Sequence, residues 1–182
     1  MNQVSIYLAG GLFNAAERAH NSRLEKGLIE TARSRGINLK TTLPQRTALR
    51  RYIPEEKRFD VAGIVADCEI DAASHDYILC NLDGADADSG TAVELGIARG
   101  QRIAYWRFKN TPDQMPLMPE MITYRTDFRT ALDRELGVNA MLQPAGSTLI
   151  YHPCFAVNLG EFDKFYEELS SKIVEVIAKG KS

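Results

Sequence analysis

The chain has 182 residues, of which 45% are hydrophobic and 25% charged, proportions typical of one globular domain spanning residues 1–182. Its 22 basic and 24 acidic side chains leave a formal net charge of −2, which argues against a nucleic-acid polymer as partner. The three cysteines include no C-x-x-C pair, so we predict reduced thiols rather than a disulfide framework or a zinc site. Apolar runs are too short for a membrane span and no signal-peptide pattern is present, so we expect a cytoplasmic protein.

Along the chain, short apolar runs alternate with segments of helical periodicity. The predicted strands are Val4–Ala9, Ile37–Leu43, Tyr77–Leu82 and Arg102–Phe108. The predicted helices run from Asn14 to Arg35, from Phe59 to Ser74, from Thr91 to Arg99 and from Glu161 to Lys179. This alternation predicts an α/β fold, a three-layer sandwich around a mostly parallel central sheet of the flavodoxin-like or Rossmann-like kind.

Local signals support these elements. Asn14 and Glu17 form a capping-box pattern at the start of the first helix. Gly100 is typical of a helix end, and Trp106 in the strand that follows is expected in the core. The second helix is expected to bury an apolar face formed by Val61, Ile64, Val65 and Cys68. The basic residues 44–58 are typical of a surface loop and equally of a functional lid.

Ligands of open parallel sheets bind beyond the carboxyl ends of the strands. Two segments follow predicted strands in this way, Gly10–Asn14 and Asp83–Glu94. They would lie side by side if their strands are neighbours. Gly10 and Gly11 lack the third glycine of G-x-G-x-x-G, so a dinucleotide site has weak support. Phe13 would either stack on a flat ring or fill the core.

The densest signal is an acidic and glycine-rich stretch from Asn81 to Gly96. It contains four carboxylates, those of Asp83, Asp86, Asp88 and Glu94. Plain turns share this composition. A calcium loop starting at Asp86 is excluded because its twelfth position is Ile97 rather than glutamate. Glu94 is either an ordinary acidic residue in an early helical turn or a carboxylate placed at the ligand edge of the sheet.

Three segments carry a family resemblance. They are Ile6–Asn14 (I-Y-L-A-G-G-L-F-N), Asp76–Ala98 (D-Y-I-L-C-N-L-D-G-A-D-A-D-S-G-T-A-V-E-L-G-I-A) and Tyr124–Leu142, which contains Y-R-T-D-F-R and G-V-N-A-M-L. Together they resemble the nucleoside 2-deoxyribosyltransferase family. The resemblance implies an enzyme that exchanges free nucleobases on small 2-deoxynucleosides and needs no metal or organic cofactor.

The resemblance also implies residue roles. Glu94 matches the nucleophile, Asp88 the residue that contacts the base and assists its proton transfer, and Phe13 the aromatic that packs on the base. Asn139 matches a residue that reaches into the site of a neighbouring subunit, so a homo-oligomer is expected. The other residues expected to bind substrate are Gly10, Gly11, Asp67, Asp83, Ser89, Gly90 and Met141.

The sequence departs from the family pattern at one position. Family members carry a further base-contacting aspartate eight residues before the aspartate that opens the third strand, here Asp76. That position is Cys68 in this chain, flanked by Asp67 and Glu69. A one-residue irregularity in the helix would bring Asp67 into place.

The family chemistry suits the residue types. A carboxylate traps the oxocarbenium-like sugar covalently, as in retaining glycosidases, while a second acid protonates the departing base. A related hydrolase of nucleoside 5′-monophosphates is the alternative, with its phosphate held by Ser89, Gly90 and the arginines Arg125, Arg129 and Arg134. A nucleotide-sensing module without turnover is a third hypothesis, since fold alone does not determine function.

Overall fold

The computed structural model of the protein describes residues 3–84, 87–108, 118–127, 140–143, 146–154 and 161–180. Its strands are β1 (Val4–Ala9), β2 (Leu39–Thr42), β3 (Tyr52–Ile53), β4 (Arg58–Phe59), β5 (Tyr77–Asn81), β6 (Glu120–Arg125) and β7 (Thr148–Tyr151). Its α-helices are α1 (Ala15–Ser34), α2 (Pro44–Thr47), α3 (Val61–Ser74), α4 (Ser89–Phe108) and α5 (Phe162–Lys179). Short 3₁₀ turns span Ala48–Arg51, Pro54–Glu56 and Ala140–Leu142.

Five strands form the central sheet in the order β2-β1-β5-β6-β7, and each neighbouring pair is parallel. Numbered along the chain within this sheet, the order is 2-1-3-4-5, which is the flavodoxin-like arrangement. Strand β1 lies beside β5, so the loops that follow these two strands leave the same edge of the sheet. The predicted α/β class, its parallel sheet and the side-by-side placement of the two loops are therefore confirmed.

Helices cover both faces of the sheet. On one face α1 packs against α5, and a core cluster there includes Leu24, Leu28, Leu169 and Ile173. On the other face α3 packs against α4, and a second cluster includes Ile78, Cys80, Leu95 and Ala98. Because the central strands are buried on both sides, they appear in the sequence as continuous apolar runs rather than alternating ones.

The predicted capping box of α1 is present. Asn14 Oδ1 accepts a hydrogen bond from the Glu17 backbone N–H at 3.0 Å. The Glu17 carboxylate in turn accepts from the Phe13 and Asn14 backbone N–H groups at 2.8 and 3.4 Å. These bonds satisfy donors that a helix start leaves open, and they fix the chain that joins β1 to α1.

The predicted strand Arg102–Phe108 is wrong, because these residues continue α4. Gly100 does not end the helix. A glycine in a helix interior costs only about 1 kcal/mol, and the helix is stabilised by burial of Leu95 and Ala98 against the sheet. The expectation that Trp106 lies in the core is also wrong, since its side chain is 55% exposed on α4.

The apolar face predicted for the second helix is not buried as expected. On α3, Val61 is 67% exposed and Val65 is 50% exposed, while Ile64 and Cys68 are half-buried. Helix α3 therefore presents a mixed surface, half against α4 and half to solvent.

Within the described residues no helix is long and apolar enough to cross a membrane.

Two further differences concern segments without strong sequence periodicity. Residues 44–58 form α2, two 3₁₀ turns and most of the β3–β4 hairpin rather than an irregular loop. Strands β6 and β7 complete the sheet and were not predicted. Helix α5 matches its prediction, with Phe165, Leu169, Ile173 and Ile177 buried along one stripe.

A matched pair of substitutions tests the packing of α1 on α5. A Cβ atom at Gly27 would lie 2.5 Å from Ser170 Oγ and 3.3 Å from the Tyr166 carbonyl oxygen, whereas one at Gly100 meets nothing within 4 Å. We expect Gly27→Ala to lower the free energy of unfolding by about 1–2 kcal/mol. Gly100→Ala should raise it by up to about 1 kcal/mol. Urea unfolding followed by circular dichroism measures both, and equal effects would contradict the close approach at Gly27.

Candidate active site

A cleft of about 420 Å³ opens at the carboxyl ends of β1 and β5. It is bounded by the loop after β1, by α3 and by the first turns of α4. Among the residues that line it are Gly10, Phe13, Cys68, Asp88 and Glu94. The edge of the sheet where sequence analysis expects a ligand therefore contains a cavity of the size typical of small-molecule sites.

Glu94 lies on α4 and is held by Tyr7 from β1. The Tyr7 hydroxyl donates a hydrogen bond of 2.6 Å to Glu94 Oε1. Tyr7 is fully buried, and a hydrogen bond from a buried hydroxyl to a charged acceptor contributes about 1.5–3 kcal/mol. This bond fixes the orientation of the carboxylate at the cleft.

Burial is the dominant influence on the ionisation of Glu94. It raises the pKa of Glu94 to about 7, a rise to which the nearby carboxylates of Asp88 and Asp71 contribute. The hydrogen bond from Tyr7 acts in the opposite direction. Burial, together with the proximity of Glu94, raises the pKa of Tyr7. The pair therefore consists of a neutral tyrosine donor and a carboxylate that ionises near neutral pH.

Asp88 caps the amino terminus of α4. Its Oδ1 accepts hydrogen bonds from the Thr91 backbone N–H at 2.9 Å and from the Thr91 hydroxyl at 3.1 Å. The same side chain lines the cleft beside Ser89 and Gly90. Asp88 thus orders the helix start and places a second carboxylate near Glu94.

The glycines after β1 are needed for close packing. A Cβ atom at Gly10 would lie 3.3 Å from Asn81 Cβ, and one at Gly11 would lie 2.8 Å from Glu17 Cδ. The Gly11 carbonyl accepts a hydrogen bond from Asn21. The loop therefore stays close to the sheet edge and leaves the cleft open above it.

Phe13 does not fill the core. Its ring is 82% exposed and lines the cleft. Ile64 and Val65 of α3 and Pro44 also line it. Exposed aromatic and aliphatic surfaces in one cleft provide the apolar contacts that a planar heterocyclic ring requires.

Asp67 is not brought into this cleft. Its two carboxylate oxygens accept hydrogen bonds from Arg51 Nε and Nη2, at 2.7 and 2.5 Å. The Arg51 guanidinium holds the pKa of Asp67 below its usual range. Asp67 and Arg51 line a separate depression on α3, whereas the next residue, Cys68, lines the cleft that contains Glu94.

Asp83 ties two strand ends together rather than lining the cleft. Its carboxylate accepts from the Thr126 backbone N–H at 2.5 Å and from the Thr126 hydroxyl at 2.6 Å. Arg125 nearby is 3% exposed and bonds to the Gly84 carbonyl and to Asp127. This buried arginine stabilises the loop after β5 and is not available to an external phosphate.

The remaining predicted residues either lie away from the cleft or fall outside the residues that the structure describes. Met141 is 68% exposed and does not line the cleft. Asn139, Arg129 and Arg134 lie outside the described residues. In the described part of the chain, no group of three or more His, Cys, Asp or Glu side chains is placed to hold a metal ion.

Sequence reasoning missed Tyr7. It is the only tyrosine in β1 and is buried there, and a hydroxyl on a buried strand requires a hydrogen-bond partner. That requirement was a usable signal, although the partner on α4 could not be identified without the fold. The assembled site can position a carboxylate for nucleophilic attack next to a second carboxylate for proton transfer.

Comparison with known proteins identifies a matching sequence family and solved structures of similar fold. The sequence model of a family described as nucleoside 2-deoxyribosyltransferase matches residues 6–141. No curated protein matches the chain in sequence. A solved structure of a conserved protein from Enterococcus faecalis V583 is 17% identical, with a TM-score of 0.58 over 92% of this chain and 99% of that one. An oxidoreductase from Corynebacterium diphtheriae is 12% identical, with a TM-score of 0.52 over 97% of each chain. At these identities both structures indicate a shared fold alone.

The burial of Glu94 can be tested through stability. We expect Glu94→Gln to raise the free energy of unfolding at pH 8 by on the order of 2 kcal/mol and to leave it unchanged at pH 4. The pKa of Glu94 is about 7 when folded against 4.5 for the ordinary group. The folded state therefore binds this proton more tightly, and its stability falls as pH rises from 4.5 to 7.

Urea unfolding at pH 4, 6 and 8 measures the effect. Glu30→Gln on exposed α1 surface is the control, and we expect it to change stability equally at each pH. A gain from Glu94→Gln of the same size at pH 4 and pH 8 would mean that packing, and not a buried charge, is altered.

Proposed function

Since this chain belongs to the nucleoside 2-deoxyribosyltransferase family, we propose that it transfers the 2-deoxyribosyl group from a 2-deoxynucleoside to a free nucleobase. The observation that carries the proposal is the Glu94 carboxylate, oriented by Tyr7 at 2.6 Å and lining an otherwise largely apolar cleft. A desolvated carboxylate beside an apolar ring-binding surface is suited to covalent capture of a sugar.

In the first half-reaction, a carboxylate oxygen of Glu94 attacks the anomeric carbon of the sugar. The bond from that carbon to the base nitrogen breaks, and its electron pair passes to the base. Asp88 supplies the proton that the leaving base takes up. Because Tyr7 engages Oε1, we assign the attack to Oε2. The product is a glutamyl-sugar ester with inverted configuration.

In the second half-reaction, a nitrogen of the incoming base attacks the same carbon. The ester bond breaks, Glu94 leaves as a carboxylate, and the proton lost by the incoming base returns to Asp88. Two inversions give overall retention. Phe13, Ile64 and Val65 would contact the base and exclude water from the ester, which favours transfer over hydrolysis.

A hydrolase of nucleoside 5′-monophosphates is the second candidate. Ser89 and Gly90 lie at the amino terminus of α4 and line the cleft, and the start of a helix attracts anions. Asp88 opposes this, because its carboxylate occupies the same helix start. We therefore place this candidate after the transferase.

We further propose a homo-oligomer in which Asn139 of one subunit completes the site of another. Apolar side chains are exposed along α3 and α4, on the same side of the sheet as the cleft. They include Val61 at 67%, Val93 at 59%, Ile103 at 59% and Trp106 at 55%. An extended apolar surface of this kind is typical of a protein interface.

The exchange reaction is tested by chromatography after incubation with deoxyinosine, with and without adenine. We expect deoxyadenosine only when adenine is present. Glu94→Ala should lower the exchange rate by roughly a thousandfold or more, because the nucleophile is removed. Glu30→Gln, a carboxylate on the opposite helical layer, is the control and should retain the wild-type rate.

Other outcomes separate the competing functions. Hypoxanthine and free deoxyribose formed at the same rate with and without adenine would indicate a hydrolase, as would a strict need for a 5′-phosphate. Intact nucleosides after incubation with purine and pyrimidine donors, together with measurable binding, would indicate a sensing module. Full exchange activity in Glu94→Ala would contradict the proposed nucleophile.

The oligomer is tested by size-exclusion chromatography with light scattering. We expect the wild type to form a dimer or larger assembly and Ile103→Glu to shift it to monomer, since a charge would be buried in the interface. Exchange activity should fall with the loss of the assembly. Lys26→Glu on α1 is the control and should leave the mass unchanged, while a monomeric wild type would contradict the proposal.

A further inference from the structure

Asn21 on α1 holds the loop that follows β1. Its side chain is buried, and its Nδ2 donates hydrogen bonds to the Gly11 carbonyl oxygen at 3.0 Å and to Gln45 Oε1 at 3.3 Å. Gln45 is also buried, and its Nε2 donates to the Arg18 carbonyl oxygen at 3.0 Å and to Ser22 Oγ at 2.9 Å. All four amide hydrogens of the two side chains therefore have acceptors, and this network fixes the orientation of the Asn21 amide.

The anchored carbonyl fixes the direction of the next backbone N–H. The peptide bond between Gly11 and Leu12 is trans and planar, so its N–H points away from its C=O. The carbonyl points to α1, which covers one face of the sheet, whereas α3 and α4 lie on the other face. Leu12 itself lines the cleft that the loop forms with α3 and α4. The Leu12 N–H is therefore directed to the cleft side of the loop.

This N–H has no acceptor among the residues that the structure describes. The next two N–H groups differ, because those of Phe13 and Asn14 donate to the Glu17 carboxylate at 2.8 and 3.4 Å. Leu12 is half-buried, and a backbone donor removed from water is destabilising unless an acceptor reaches it. The loop thus keeps one donor available beside the exposed ring of Phe13.

We propose that the Leu12 N–H donates a hydrogen bond to an acceptor atom at the edge of the nucleobase, and that Asn21 is the positioning residue that aims it. Phe13, the next residue, offers its ring to a planar heterocycle in the same cleft. A donor at the edge of the base also stabilises negative charge that develops on the base as it departs. The identity of the ligand rests on the proposed function, whereas the direction of the N–H rests only on contacts within the protein.

Nuclear magnetic resonance of protein labelled with ¹⁵N-leucine follows the Leu12 amide directly, and its signal is assigned by its loss in Leu12→Met. Titration with adenine or cytosine, one base of each class, should move the Leu12 amide proton downfield, because a hydrogen bond deshields it. The amides of Leu24 and Leu28, buried on α1, are internal references and should not move. An unchanged Leu12 signal with both bases would overturn the inference.

Analogues of adenine identify the acceptor. In 1-deazaadenine, 3-deazaadenine and 7-deazaadenine, one accepting ring nitrogen is replaced by C–H. We expect one of the three to bind roughly two- to tenfold more weakly than adenine, as the loss of one hydrogen bond requires, and to leave the Leu12 amide unmoved. Isothermal titration calorimetry measures the affinities. The inference is wrong if all three move the Leu12 amide as adenine does.

Asn21→Asp tests the anchor. The substitution keeps the shape of the side chain but replaces its donors by a carboxylate that repels the Gly11 carbonyl, so the peptide is no longer held. We expect adenine to bind roughly two- to tenfold more weakly than to the wild type. The analogue that binds weakly to the wild type should then bind as well as adenine, because the hydrogen bond it lacks is already lost.

Asn38→Asp is the matched control. Asn38 is exposed just before β2, so the same change there should leave the adenine affinity and the Leu12 amide response unchanged. Circular dichroism checks that both variants fold. A wild-type Leu12 response in folded Asn21→Asp contradicts the role of Asn21. If Asn21→Asp does not fold, the titrations of the wild type with adenine and its analogues still decide.

Exchange activity separates this inference from the proposed function. A Leu12 amide that does not respond to nucleobases, in a protein that exchanges them, would overturn the inference and leave the transferase in place. A Leu12 amide that responds to a base, in a protein that shows no exchange, would overturn the proposed function and leave the backbone donor in place.

Discussion

The parallel pairing of β1 with β5 is the constraint on which the site depends. Its register aligns Tyr7 with Ile78 and Ala9 with Cys80, so both strands end at the same edge of the sheet. The loop after β1 and the start of α4 therefore meet across one cleft. The hydrogen bond from Tyr7 to Glu94 joins residues 87 positions apart in sequence, and it forms only because this pairing brings them together.

The site combines interactions that stabilise the folded state with one feature that destabilises it, the burial of the Glu94 carboxylate. Asp88 caps α4 and lines the cleft, so the same carboxylate orders a helix and faces the substrate. Glu94 is different, because burial disfavours its charged form. Tyr7 offsets part of that cost by donating to the carboxylate. A desolvated carboxylate on a well-packed sheet is an example of the balance between stability and activity.

The departures from prediction share a cause. Glycine is typical of a helix end, but at Gly100 burial of one face of α4 outweighs the local cost of the glycine and the helix continues. Val61 and Val65 were expected in the core because they are apolar, yet α3 turns them to solvent. In each case a local preference was correct as a tendency and was overridden by how whole elements pack.

The sequence by itself determined the elements whose signals are local: the buried strands β1 and β5, the capping box of α1, the stripe of α5, and Glu94 and Asp88 beyond a strand end. These patterns are set by hydrogen bonding and burial within a few residues. Only the tertiary structure decided that Tyr7 contacts Glu94 and that α3 directs Cys68, rather than Asp67, to the cleft. The rotation of a helix about its axis and the choice of neighbouring strand depend on contacts between distant segments, and no short pattern encodes those contacts.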